Sequence, residues 1–170
     1  MAQFWGVPFV PDKPGKSAVE LFKSLKTGEI KAVWIACTNP AQSMPDQATV
    51  RRALERAEFV VVQEAFATAA TCNFADLLLP ATTWGEKDGT VTNSERRISR
   101  VRAAVAPPRA AGSADAPRHD WQIAVDFARR LERLFSAGPA PVAGPFDVAQ
   151  DSPGPAQPVK DLFPYSSPES

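Results

Sequence analysis

Two apolar runs, Lys31-Ala32-Val33-Trp34-Ile35-Ala36-Cys37 and Phe59-Val60-Val61-Val62, decide the fold. Each is short and apolar at nearly every position, which marks strands covered on both faces. Between them, Asp46 to Glu58 places Val50, Ala53, Leu54 and Ala57 among charged residues, the pattern of a helix lying over a sheet. Upstream, Ser17 and Glu20 have capping-box spacing, Leu21, Phe22 and Leu25 share a face, and Gly28 supplies a stop, so 17–28 reads as a helix. Downstream, the small-residue stretch Ala65 to Phe74 reads as a short helix and Asp76 to Leu79 as a third strand ended by Pro80. The order helix, strand, helix, strand, helix, strand predicts an α/β class with a small parallel Rossmann-like sheet flanked by helices. Three strands are fewer than the five or six of a complete doubly wound domain, so the sheet is expected to be incomplete.

Beyond Pro80 the pattern changes. Asp88-Gly89 is a tight-turn dipeptide between two possible short strands. Residues 107–117 form a loop rich in Ala, Pro and Gly, and Asp120 to Phe135 returns to helical spacing, with Asp120 placed to cap its start. The expected organisation is an irregular lead-in over 1–16, a partial α/β domain over 17–135 and an extended tail over 136–170. That tail holds eight of the 17 prolines and is too poor in apolar residues to offset its own ordering.

Composition excludes several functions. Lys plus Arg and Asp plus Glu both number 19, so there is no positive excess for nucleic-acid binding. No apolar run reaches the ~18 residues that cross a bilayer, so no membrane partner is expected. Met1 to Val10 lacks the basic start and unbroken apolar run of a signal peptide, which gives a cytoplasmic expectation. One histidine, His119, and two cysteines, Cys37 and Cys72, supply neither a zinc set nor a disulfide framework. No dinucleotide fingerprint, phosphate loop, zinc-protease helix or nucleophile elbow is present.

The positive chemistry lies at strand ends, where open parallel sheets bind ligands. Cys37-Thr38-Asn39-Pro40, Gln63-Glu64 and the segment Pro80 to Gly89 with Lys87 are three such ends, expected at one edge. They offer two amides, a carboxylate and an ammonium, a set that suits a nucleotide: amides and carboxylate for a base edge or ribose, ammonium for a phosphate. Each also has a plainer reading. Asn39-Pro40 can start a turn, Glu64 can cap the next helix, Lys87 can be solvated, and Arg96, Arg97, Arg100 and Arg102 can form a charged surface. Cys37 and Cys72 read as small buried apolar residues rather than thiolates.

The run from Leu79 to Arg97, LPATTWGEKDGTVTNSERR, together with Thr38-Asn39-Pro40 and Arg118-His119-Asp120-Trp121, resembles the molybdopterin oxidoreductase family. The likeness covers about Phe4 to Leu134. Ala36 to Ala41 followed by Met44-Pro45-Asp46, with Phe4 to Pro8 and Lys13 to Gly15, resembles the assimilatory nitrate reductase branch in particular. Formate dehydrogenases share the WGEK and ERR region.

This resemblance implies molybdenum carried on a pair of molybdopterin guanine dinucleotides, with Asn39, Gln63, Glu64, Lys87 and Asp120 contacting that cofactor. Gln63 departs from a family pattern that often has Ser-Asp at the Gln63-Glu64 pair. No role is implied for Glu95-Arg96-Arg97 beyond bracing its loop. The family's iron-sulfur cysteine motif, its molybdenum ligand and its C-terminal barrel-like domain have no counterpart in these 170 residues. The chain is therefore expected to be one portion of a nitrate-reducing enzyme, catalytically incomplete without the remainder of that polypeptide and an electron donor. The alternatives are a piece of a formate dehydrogenase-type molybdoenzyme, or a non-catalytic nucleotide-binding or assembly module.

Overall fold

The computed structural model describes residues 8–108 and 116–136. The expected lead-in is irregular over 8–16; its first seven residues and the tail 137–170 lie outside the described residues. The chain divides into two compact units at the Leu79/Pro80 boundary.

The first unit begins with helix α1, Ala18–Thr27. Ser17 closes its start as the sequence predicts: the Ser17 hydroxyl accepts from Glu20 N–H, and the Glu20 carboxylate accepts from Ser17 N–H at 2.9 Å. Gly28 ends it in the left-handed region (φ 84°), where a side chain would be strained. Strand β1 is Ala32–Ala36 and strand β2 is Phe59–Glu64; they pair in parallel, Ala32 opposite Phe59 and Ala36 opposite Gln63. Strand β3, Leu77–Pro80, completes a parallel three-stranded sheet of order β1-β2-β3.

A four-residue helix α2, Pro40–Ser43, follows β1, with Pro40 in its first turn, where a missing N–H costs nothing. Helix α3, Gln47–Arg56, is capped by Asp46, whose side chain accepts from Thr49 N–H. The core gathers Phe22 and Leu25 of α1, Ile35 of β1, Val50, Ala53 and Leu54 of α3, and Val60 and Val62 of β2.

Several expectations are corrected. Continuous apolar runs predict strands buried on both faces, yet Leu77 and Leu78 of β3 are exposed, because the buried core cluster of α1, α3, β1 and β2 does not extend over β3. Only Ala70–Phe74 of the predicted short helix forms, as a 3-10 turn. Asp88-Gly89 does not turn a hairpin. Gly89 instead opens strand β4, Gly89–Thr92, which pairs antiparallel with β5, Ile98–Val101. The turn lies at Asn93 to Arg97, where Arg96 takes a positive φ of 63° and Asn93 N–H meets Arg97 C=O at 3.0 Å.

The second unit also contains helix α4, Asp120–Ser136. Asp120 is its first residue rather than its cap. His119 precedes it, with its N–H bound to the Gln122 side chain at 3.3 Å. The buried apolar side chains described in this unit are Ala81 and Ile123.

Candidate functional site

In the first unit, parallel register sets the ends of β1 and β2 side by side. Cys37 N–H donates to Gln63 C=O at 3.1 Å, so the turn after β1 rises beside Gln63-Glu64 as the strand-end argument expects. Cys37 is the first residue off the sheet, takes a left-handed φ of 58° and is exposed, against its predicted burial. Asn39 lies two residues further on. Its Oδ1 accepts from Thr71 N–H at 3.1 Å and from the Thr71 hydroxyl at 2.7 Å, while its Nδ2 donates to Gln42 Oε1 at 3.0 Å. Its backbone C=O receives Gln42 N–H, Ser43 N–H and the Ser43 hydroxyl, so Asn39 is the turn-former of α2 as well as a strand-end amide.

Gln63 is buried within the sheet. Glu64 is half-buried and accepts from Ala65 N–H at 2.7 Å through Oε1, closing the turn that follows β2. Cys72 is half-buried, where the sequence predicts a buried residue, and its thiol lies 3.7 Å from Phe66 C=O. Burial, then the nearby Glu64 charge, pushes that thiol above its ordinary pKa, which keeps it protonated near neutrality.

In the second unit the loop carrying Lys87 is held by its backbone. Gly85 C=O accepts from Ala104 and Val105 N–H at 2.8 and 3.0 Å, the Asp88 carboxylate accepts from Ala103 N–H at 3.0 Å, and Glu86 accepts from Thr83 N–H at 2.8 Å. The loop sets Lys87 Nζ 2.7 Å from Asp120 Oδ2 and 5.1 Å from the Trp84 ring centroid, so the Lys87 ammonium is paired rather than free in solvent. Trp84 itself is 64% exposed, leaving its outer face free. Two strands of backbone align the Asp120 side of this pair. Arg118 N–H donates to Pro80 C=O at 3.1 Å and Thr82 N–H to Arg118 C=O at 3.0 Å, while the buried Thr82 hydroxyl meets His119 Nδ1 at 3.0 Å. Beside Asp120 in sequence, Trp121 Nε1 is a buried donor without a partner among the described residues.

The structure thus brings Asn39, Gln63 and Glu64 to one sheet edge in the first unit and pairs Lys87 with Asp120 in the second. Thr71, Gln42, Thr82 and His119 were missed, since nothing in their local sequence marks them as partners. Among the described residues, no group of three His, Cys, Asp or Glu side chains could hold a metal ion.

A family description, molybdopterin oxidoreductase, matches residues 8–130. The chain is 47% identical over 131 residues to a nitrate reductase of Klebsiella oxytoca, covering 77% of this chain and 14% of that protein. It is 37% identical over 140 residues to the assimilatory nitrate reductase catalytic subunit of Bacillus subtilis, covering 80% and 19%. It is 44% identical over 102 residues to the F420-dependent formate dehydrogenase subunit alpha of Methanocaldococcus jannaschii, covering 60% and 14%. The chain therefore spans less than a fifth of these curated relatives. In fold it is similar to acetylene hydratase from Pelobacter acetylenicus, with a TM-score of 0.56 at 22% identity over 66% of this chain and 15% of that one.

Proposed function

Because this chain belongs to the molybdopterin oxidoreductase family, we propose that it supplies part of the cofactor-binding wall of an assimilatory nitrate reductase, which reduces nitrate to nitrite. The observation that carries the reading is the polar set at the β1/β2 edge, where Asn39 on the turn after β1 joins Gln63 and Glu64 at the end of β2, with Asn39 and Glu64 each held by a backbone N–H. That set fits a guanine dinucleotide. Amide N–H groups meet ribose, phosphate or base acceptors, and a carboxylate accepts from the N–H edge of guanine. In the second unit Lys87 and Asp120 have complementary roles: the ammonium serves a phosphate oxygen, the carboxylate serves the base, and Trp121 Nε1 remains a buried donor in want of an acceptor.

The molybdenum-pterin group, once bound, supplies the two-electron chemistry. The residues of this chain bind and orient it. Stretch 17–135 acts as a single cofactor-binding portion in this reading. Metal ligand, iron-sulfur cluster and electron donor come from the rest of the polypeptide and its partners, in a cytoplasmic setting. No helix among the described residues is long and apolar enough to cross a membrane.

A second reading, a formate dehydrogenase-type enzyme, is favoured by the 44% identity to a formate dehydrogenase subunit. One experiment separates them. The native polypeptide is captured with an antibody to the Asp46–Glu58 peptide, then assayed for molybdenum, for guanine nucleotide released by acid, and for nitrate and formate turnover with an artificial electron carrier. Molybdenum with guanine nucleotide and nitrate-dependent dye oxidation is the expected result. Formate-dependent dye reduction selects the second reading, and a preparation devoid of molybdenum and guanine overturns both.

A further inference from the structure

The hydrogen bonds around Asn39 have a direction. A backbone N–H can only donate, so the N–H of Thr71, 3.1 Å away, identifies the facing amide atom as Oδ1. The Thr71 hydroxyl accepts from Ala41 N–H at 3.2 Å and lies 2.7 Å from the same Oδ1, so its own proton points to Asn39. Oδ1 carries both bonds, which fixes the rotation of the amide about its last torsion. Nδ2 is then turned away from Thr71, with one N–H on Gln42 Oε1 at 3.0 Å and the second without a partner among the described residues. Gln42, exposed, accepts through Oε1, which faces Asn39, and so turns its Nε2 N–H groups away from Asn39. The chain of bonds runs from a buried backbone N–H through Thr71, Asn39 and Gln42, with every proton pointing outward, and it ends in donors.

We propose that Thr71 is a positioning residue that locks Asn39 as a hydrogen-bond donor, so that this edge selects the acceptor-rich part of its ligand: phosphate, ribose or carbonyl oxygens of a guanine nucleotide. The inference rests on the cofactor reading above. Thr71 is fully buried, so it acts through Asn39 rather than by direct contact with a ligand at the surface. Its backbone N–H alone would hold Oδ1 by one bond, and its hydroxyl adds the second, which also satisfies Ala41 N–H. A buried chain of this kind is directional because reversing any member leaves two donors or two acceptors face to face.

The test uses the full chain with GDP as probe, titrated calorimetrically, and the side-chain amide signals of Asn39 in the 15N–1H spectrum. Asn39→Asp keeps an oxygen for Thr71 and turns the outward group from donor to acceptor. It is expected to weaken GDP about tenfold or more with the backbone spectrum unchanged. Thr71→Val removes only the hydroxyl and is expected to weaken GDP by about fivefold to tenfold and to raise the mobility of the Asn39 amide protons. Thr71→Ser, which keeps the hydroxyl, restores both. Asn39→Asp binding GDP as tightly as the wild type, or Thr71→Val leaving the amide signals unmoved, overturns the proposal. A wild-type chain that ignores GDP overturns the cofactor reading instead, and the amide signals of Thr71→Val against Thr71→Ser still decide the positioning role.

Discussion

In residues 8–79 the candidate side chains close on backbone. Asn39 and Glu64 receive N–H groups of Thr71 and Ala65, and a cluster of nine buried apolar residues lies beneath them. In residues 80–136 the candidate side chains close on each other: Lys87 meets Asp120, and the loop that carries Lys87 is held by its carbonyls and by Asp88 rather than by an apolar core. The first arrangement couples the site to folding. Removing a site residue there leaves part-buried backbone N–H groups unsatisfied, which destabilises the unit as well as the site. The second leaves the site more separable, since a charge pair that is 21% and 28% exposed can be altered with modest loss of stability.

The largest expected effect tests the difference in cores. Leu25→Ala, at a fully buried position, should destabilise the first unit by about 2–5 kcal/mol, whereas Ile123→Ala, with fewer buried neighbours, should cost about 1–2 kcal/mol. Urea unfolding followed by amide signals of each unit reads the two values separately. Equal losses would mean that the second unit has a core as consequential as the first.

A double-mutant cycle on Lys87→Met and Asp120→Asn comes next. The pair is neither fully buried nor free in solvent, so the coupling should be about 1 kcal/mol, between the surface and interior limits. Additive single losses would show that the two charges contribute nothing by being together, and the second unit's site would then be held by its loop backbone alone.

These contrasts also explain what could be read from the sequence. Ser17, Glu20 and Gly28 around α1, and Asp46 before α3, act within three or four residues of themselves, so the sequence predicts both helices to within a residue or two. The parallel pairing of β1 and β2 follows from two apolar runs with a helix between them. The β4-β5 turn departs from the sequence expectation because a non-glycine residue, Arg96, takes the left-handed conformation there, while Asp88-Gly89 carries the stronger local signal without using it. Asn39, Gln63, Glu64 and Lys87 are legible from their place at strand ends, and Asp120 only from the family resemblance, but their partners are not. Thr71 lies 32 residues from Asn39 and His119 lies 37 from Thr82, separations at which no spacing rule operates. The exposure of Cys37 has a related cause: the burial expected of a small apolar side chain is overridden by the turn that leaves β1.

The smallest expected effect concerns acid. In the first unit, three carboxyls are held below their ordinary pKa: Glu20 chiefly by the Ser17 backbone N–H, Glu29 by the Lys16 ammonium, and Asp46 by the Thr49 hydroxyl and N–H. A carboxyl whose folded pKa lies below its unfolded value binds fewer protons when folded. Its contribution is therefore complete above the unfolded pKa, about 4 for Asp and Glu, and is lost as pH falls through the lower folded value. All three are solvent-exposed, so each effect is small and weakened by salt. Between pH 6 and pH 3 the urea midpoint of the first unit should fall, and Glu20→Gln combined with Asp46→Asn should flatten that fall while lowering the midpoint at pH 6. An unchanged acid slope in the double variant would mean that the two caps shape α1 and α3 without stabilising them, and that protonation elsewhere governs the acid response of the unit.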